Sequence, residues 1–211
     1  MARPPRIEFP GATYHVIARG IAGQKLFTDD LDCYGLLVRF ARMVVRFEAV
    51  CHAFCLMPTH YHFAVETQNA NLSEAMHWLN AVYAQRFNAR HARHGHVFGG
   101  RFKAVLVERD SHLLELARYI ALNPVRAGLC RLPEDWPWSS YAATAGLARP
   151  PSFLTSRVIL DQFVNDPVDA QLAYRRFVAA GIAPPVWTEI NGEAYLASES
   201  IVPFGHVPGP G

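Results

Sequence analysis

The sequence predicts an α+β fold, a ferredoxin-like split βαβ sandwich ordered β-α-β-β-α-β-α, with a largely helical or irregular C-terminal extension. Three observations carry this. Tyr61, Phe63 and Val65 are aromatic or apolar at every second position, the period of a half-buried strand. Two stretches, one through Leu36, Phe40, Met43 and Phe47 and one through Leu72, Met76, Leu79, Tyr83 and Phe87, repeat apolar residues at helical spacing. Between the second strand, ending at Met57, and the third, starting at His60, lies only the short break Pro58-Thr59, so these two strands must pair antiparallel. A hairpin held between two crossover helices is the split βαβ arrangement. The sheet is expected to be part antiparallel, with helices on one side and the other face open.

The elements follow in order. Arg6 to Ala12 is an extended lead-in ending in a turn, and Thr13 to Arg19 reads as the first strand. Gly20 and Gly23 break it. Asp29-Asp30 can cap the first helix and put acidic residues at its positive end. Glu48 to Met57 reads as the second strand and His60 onward as the third. Asn71 or Ser73 can cap the second helix, which Trp78 and Val82 widen on its apolar side. Phe102 to Glu108 is the fourth strand. Asp110-Ser111 caps a third helix from His112 to about Leu122. Beyond Gly128 the chain turns irregular through the aromatic connector Trp136-Pro137-Trp138-Ser139-Ser140-Tyr141. Arg149-Pro150-Pro151-Ser152 marks the best boundary, giving a body over 1–148 and an extension over 149–211. A short helical region there ends at Ala183-Pro184-Pro185, and Val202 to Gly211 is rich in Pro and Gly.

Composition excludes several classes. A chain that is 51% hydrophobic and 12% aromatic can bury a real core. No apolar stretch approaches the roughly 20 residues of a membrane span, and the N-terminus lacks a signal-peptide core. A cytoplasmic protein with no membrane partner is expected. Cys51 and Cys55 flank His52, but strand alternation sets the two thiols on one face and the imidazole on the other, which favours buried free thiols over a zinc site. Charge is uneven: residues 1–150 balance to +5 and residues 151–211 to −3. A mildly basic body permits a nucleic-acid partner.

Chemistry concentrates in three places. With Tyr61, Phe63 and Val65 facing a core, His60 and His62 share the opposite strand face, roughly 6.6 Å apart along the backbone. Two such imidazoles can hold one divalent metal, and are equally compatible with two surface histidines. On the third helix Glu115, Tyr119, Asn123 and Arg126 fall on one face at spacings of three and four. A tyrosine on a polar stripe can attack a phosphodiester if a metal neutralises the phosphate, or can simply pack at a core edge. Asn123 precedes Pro124, which disfavours helical geometry there, so it either caps a new short helix or stands one turn past Tyr119 as a third metal ligand. From Arg86 to Lys103 the chain carries Arg86, Arg90, Arg93, Arg101 and Lys103 without a carboxylate among them, interleaved with Phe87, Phe98 and Phe102. That composition suits phosphate contact and base stacking on single-stranded or hairpin nucleic acid.

Taken together these stretches resemble the IS200-like (Y1) single-tyrosine transposases of the HUH class, nearest the REP-associated tyrosine transposase branch. The matching pieces run from Arg3-Pro4 and Arg6-Ile7-Glu8-Phe9-Pro10-Gly11-Ala12 through Tyr14-His15-Val16, Arg19-Gly20 and Phe27-Thr28-Asp29-Asp30. They continue through Cys55-Leu56-Met57, His60-Tyr61-His62, Gly95-His96-Val97-Phe98 and Gly100-Arg101-Phe102-Lys103-Ala104. They end with Arg118 to Gly128 and Pro133 to Tyr141. The resemblance implies that His60 and His62 are metal ligands, that Tyr119 is the nucleophile, and that Asn123 stands at the third ligand position. It implies Mg²⁺ or Mn²⁺ and cleavage and rejoining of single-stranded DNA near a hairpin (REP or palindromic) element, by a monomer or a homodimer. Arg19, Arg86, Arg90, Arg93, Arg101, Lys103 and Arg126 are the candidate DNA contacts. Two departures stand out: Gly20-Ile21 replaces the usual Gly-Asn after the first strand, and Pro58-Thr59 replaces the usual Asp-Asn or Pro-Asn before the first histidine.

Overall fold

A computed structural model describes residues 6–107, 110–164, 166–182, 187–190 and 193–196. The expected strand end at Glu108, the Asp110 and Ser111 side-chain caps, Ala183-Pro184-Pro185 and the Pro/Gly-rich end lie outside what it describes. The elements are β1 (Ala12–Arg19), α1 (Asp30–Arg46), β2 (Ala49–Met57), β3 (His60–Thr67), α2 (Leu72–Arg90), β4 (Lys103–Val107) and α3 (Asp110–Arg126). This is the expected order.

The four strands lie in the order β2-β3-β1-β4. Every neighbouring pair is antiparallel, rather than part of the sheet as the sequence reading had it. Each crossover helix joins strands of the same direction, but one reversed strand is inserted between them, so no two parallel strands touch.

Period-two alternation sorts the side chains onto two faces. Tyr14, Val16 and Ala18 of β1, Phe54 and Leu56 of β2, and Tyr61, Phe63 and Val65 of β3 face the larger core beneath α1 and α2. Phe40 of α1 stacks on Phe63 with ring centroids 4.0 Å apart and planes within 6°. The opposite face was expected to be open; it is not. Ala53, Cys55, Met57 and Ala64 form a second core with Leu113, Leu116, Ala117 and Ile120 of α3. Among the described residues, the helices α4 (Tyr141–Thr144), α5 (Arg157–Leu160) and α6 (Pro167–Ala180) follow. Their residues Tyr141, Ile159, Tyr174 and Val178 join that core. The extension also contains an antiparallel pair that the sequence reading missed, β5 (Trp187–Ile190) with β6 (Glu193–Leu196).

Local departures have local causes. The β2–β3 register shifts between Cys51 and Ala53, so His52 has no partner across the ladder. The bulge breaks the alternation. Cys51 therefore lies in the first core and Cys55 in the second, not on one face as expected, and both are free buried thiols. Asp29 caps α1, its carboxylate accepting the Asp32 N–H. Neither expected side chain caps α2. Glu8 of the lead-in accepts the Ser73 N–H at 3.1 Å instead, while Asn71 donates to the Phe47 carbonyl. The third helix does not stop near Leu122 but runs through Pro124 to Arg126. The Asn123 side-chain amide donates 2.8 Å to the Tyr119 carbonyl one turn back, a tie that supports the helix where proline disfavours it. Among the described residues no helix is long and apolar enough to cross a membrane.

Candidate active site

The site lies where β1, β3 and α3 meet on the second face of the sheet. β3 begins at His60, half-buried at the strand mouth, and carries His62 two residues deeper, where it is 1% exposed. Their ring centroids are 5.0 Å apart. On the adjacent strand β1, Ile17 lies directly across from His62 and His15 across from Ala64. Residues one diagonal step apart on one sheet face reach each other. Accordingly His15 Nε2 lies 2.9 Å from His62 Nδ1, and the two rings stack at 5.1 Å. α3 then brings Tyr119 over the pair, edge-on, 5.7 Å from His62 and 5.8 Å from His15 between ring centroids. Tyr119 remains 40% exposed. One chain therefore assembles the histidines and the tyrosine without a second copy.

Burial sets the protonation of this cluster. It pushes the His62 imidazole down to about 2, with His15, His60 and Arg19 adding repulsion for a proton. It pushes His15 down to about 4, and His60 to about 4 with help from Arg19. All three rings are therefore neutral at neutral pH, the state in which an imidazole offers a lone pair.

The donor set fits a divalent cation. His62 Nδ1 is held by His15, whereas His62 Nε2 is buried and without a hydrogen-bond partner. A buried ring nitrogen left this way is rare in folded proteins and calls for a binding partner. His60 Nδ1 is 3.1 Å from the Thr59 hydroxyl, which leaves its Nε2 as the outward nitrogen. Among the described residues no group of three or more His, Cys, Asp or Glu side chains is arranged to hold a metal. The fit is thus to two imidazoles, completed by oxygen from elsewhere. Asn123 keeps its amide nitrogen on the Tyr119 carbonyl, so its oxygen is the atom it can offer.

The sequence-predicted cations divide between the two sides of the molecule. Arg19 pairs with His60 across the β1–β3 ladder, and Lys103 pairs with Ile17 across β1–β4, on the same face as His15. The Arg126 guanidinium lies 5.7 Å over the Tyr119 ring. These three border the cluster. Arg101 is exposed. Arg86 and Arg90 belong to α2, which packs on the opposite face, and Arg93 follows it. Arg90 is not uncompensated: it bonds to Asp29 and, at 2.6 Å, to Asp32, both at the start of α1. His91 meets Asp32 as well, and Arg93 donates to Gln24. The run from Arg86 to Lys103 is free of acid only along the chain.

The residue that sequence reasoning missed is His15. Its only signal was an imidazole in a strand whose neighbours Tyr14 and Val16 are core-forming, which places it on the other face.

Comparison with known proteins agrees with this architecture. The family described as "Transposase IS200 like" matches residues 9–123, more than half of the chain. The protein belongs to that family. A Haemophilus influenzae protein named "Putative REP-associated tyrosine transposase" is 26% identical over 106 residues, 45% of this chain. The matched stretch spans 59% of that relative's length. A solved REP-associated tyrosine transposase bound to a REP hairpin superposes with a TM-score of 0.61 at 16% identity, covering 75% of this chain and 93% of its own. At that identity the likeness concerns the fold.

Proposed function

We propose that this transposase cleaves and rejoins single-stranded DNA beside hairpins through a covalent phosphotyrosine, with Tyr119 as nucleophile. The observation that carries the reading is the meeting of Tyr119 with the neutral His15–His62 pair in one chain. The Tyr119 oxygen attacks the phosphorus of a bound phosphodiester in line with the 3′ oxygen. The Tyr119–phosphorus bond forms, the phosphorus–O3′ bond breaks, and the departing oxygen takes up a proton as a free 3′-OH. The phenolic proton leaves to solvent through the exposed edge of the ring. Attack by a 3′-OH on the phosphotyrosine reverses these changes and rejoins a strand.

The chain's own residues prepare this step. Arg19, Lys103 and Arg126 supply positive charge around the phosphate as the transition-state charge develops. The Arg126 guanidinium lies over the ring of the nucleophile itself. His60 and His62, with Asn123, would hold Mg²⁺ or Mn²⁺, which when bound polarises a phosphoryl oxygen as a Lewis acid. The DNA partner is supported by family membership and by the hairpin carried by the structural relative.

The test is to incubate the protein with labelled hairpin-bearing single-stranded DNA and Mn²⁺ and look for an SDS-stable adduct. Tyr119→Phe should abolish the adduct and leave hairpin binding intact. Undiminished cleavage by the phenylalanine variant would remove Tyr119 as nucleophile. Hairpin binding with no adduct in the wild type would make the protein a binding module.

A further inference from the structure

We infer a second DNA-phosphate surface on the helical side of the molecule, built from Arg39, Arg42 and Arg46 of α1 and Arg86 of α2. It lies across the sheet from the histidines and Tyr119. It rests on the reading of the partner as DNA and not on the cleavage chemistry.

Four arginines line this helix pair, and among the described residues none of them forms an ion pair with a carboxylate. A Cβ built on Gly35 would stand 3.2 Å from Arg86 Nε and 3.9 Å from Arg39 Nη1, so the two guanidinium groups converge on one point where the helices pass. Arg39 Nη1 donates 2.8 Å to the Gly35 carbonyl, while Arg39 Nε is buried without a partner. The Arg46 guanidinium sits 5.5 Å over the Trp78 ring of α2. The two helices therefore run antiparallel, with Arg39 beside Arg86 at one end and Arg46 beside Trp78 at the other. Arg42 lies on α1 between them. From Arg39 to Arg46 the ridge is about 10 Å long at the helical rise per residue. That length faces about three consecutive phosphates of one strand.

The contrast within the same helix pair argues for a ligand. One turn beyond Arg86, Arg90 is neutralised by Asp29 and Asp32. Among the described residues, no ion pair reaches any of the four arginines. Crowded like charges weaken a fold unless a counter-charge arrives, and burial plus Arg86 and Arg42 already hold the Arg39 guanidinium below its usual range. A polyanion supplies that counter-charge to all four at once, and the guanidinium fork suits phosphate oxygens.

The experiment is fluorescence anisotropy with a labelled DNA hairpin carrying a long single-stranded flank, repeated over a series of salt concentrations. The triple variant Arg42→Gln/Arg46→Gln/Arg86→Gln leaves Arg39 and its Gly35 contact in place. Its thermal midpoint confirms folding. The slope of log affinity against log salt should fall in magnitude by about 2. A control triple, Arg131→Gln/Arg149→Gln/Arg157→Gln, removes the same net charge and should leave the slope unchanged. An unchanged slope in the first triple, or an equal loss in both, would overturn the surface. So would loss of binding to phosphatidylglycerol vesicles with the DNA slope intact, which would assign the ridge to a membrane. Adduct formation on a short strand spanning only the cleavage site should be the same in the double variant Arg42→Gln/Arg46→Gln and the wild type. A wild type that forms no adduct would sink the proposed chemistry and leave the slope comparison standing.

Discussion

His15 Nε2 lies 2.9 Å from His62 Nδ1, and this contact orients the deepest imidazole of the site. With both rings neutral, one nitrogen of the pair donates and the other accepts. If His62 offers its unpartnered Nε2 to a cation, its proton must be on Nδ1, and His15 must accept it. His15 then fixes both the tautomer and the tilt of His62, the part a second layer plays around metal ligands. His15→Phe keeps a stacked ring but removes the acceptor. The affinity of the DNA-free protein for Mn²⁺, measured by calorimetric titration, should fall about 10- to 100-fold. Unchanged affinity would reduce His15 to packing.

The same cluster makes stability depend on pH in a defined window. A histidine whose pKa is lowered on folding takes up its proton more readily in the unfolded chain. Its favourable contribution is complete above the unfolded value near 6.5 and is lost as pH falls toward the folded value. His15 at about 4 and His62 at about 2 therefore weaken the fold progressively below pH about 6.5. Each contributes on the order of 2 kcal/mol by pH about 5. Chemical denaturation of the metal-free protein between pH about 7 and 5 should show this loss. It should be visibly smaller in His15→Phe. Parallel profiles for the two proteins would mean that His15 titrates normally.

Asp32 ties the start of α1 to the end of α2, and this changes what Arg90 can do. The carboxylate is 3% exposed and accepts from the Thr28 N–H at 2.9 Å, from Arg90 at 2.6 Å and from His91 at 3.0 Å. Burial pushes its pKa up, but the hydrogen bonds from Thr28, His91 and Arg90 outweigh that and hold it at about 2. Asp32→Ala should cost about 3 kcal/mol, because the groups around it lose their acceptor. Arg90→Gln, by contrast, should leave the salt slope of DNA binding unchanged, since its charge is already matched. A slope reduced by about 1 would return Arg90 to the DNA contacts.

How much of this was legible in the sequence depended on range. The alternation of Tyr61, Phe63 and Val65 identified the buried face of β3, and with it the shared face of His60 and His62. The spacing of Glu115, Tyr119 and Asn123 put the tyrosine on the polar side of α3. What failed was what strands and helices do at a distance. The depth of His62 depends on α3 folding over it. The pairing of His15 with His62 joins residues 47 apart through a register that no local pattern encodes. The bulge at His52 reversed the facing of Cys51 relative to Cys55 without any glycine or proline to announce it. Arg90 looked unpaired because its carboxylates lie about 60 residues upstream.

The connector after α3 protects the outer edge of the sheet, and Ser140 is its most sensitive point. β2 is an edge strand, so its outward N–H and C=O groups need partners. The connector provides them as a partial fifth strand: Leu56 N–H donates 2.8 Å to the Trp138 carbonyl, and Ser140 N–H donates 2.9 Å to the Phe54 carbonyl. The Trp136 indole N–H adds a bond of 2.9 Å to the Leu56 carbonyl. One donor is satisfied only by a side chain. The Phe54 N–H gives its hydrogen to Ser140 Oγ at 2.9 Å, in a fully buried setting. Ser140→Ala deletes that acceptor and leaves a buried N–H unpaired, which costs about 1–3 kcal/mol. Ser140→Thr retains the hydroxyl and should recover much of the loss if the added methyl fits. The thermal midpoints of the two variants decide the matter. An alanine variant as stable as the wild type would mean that water or a shifted backbone carbonyl replaces the hydroxyl, and that the edge is held by the backbone ladder alone.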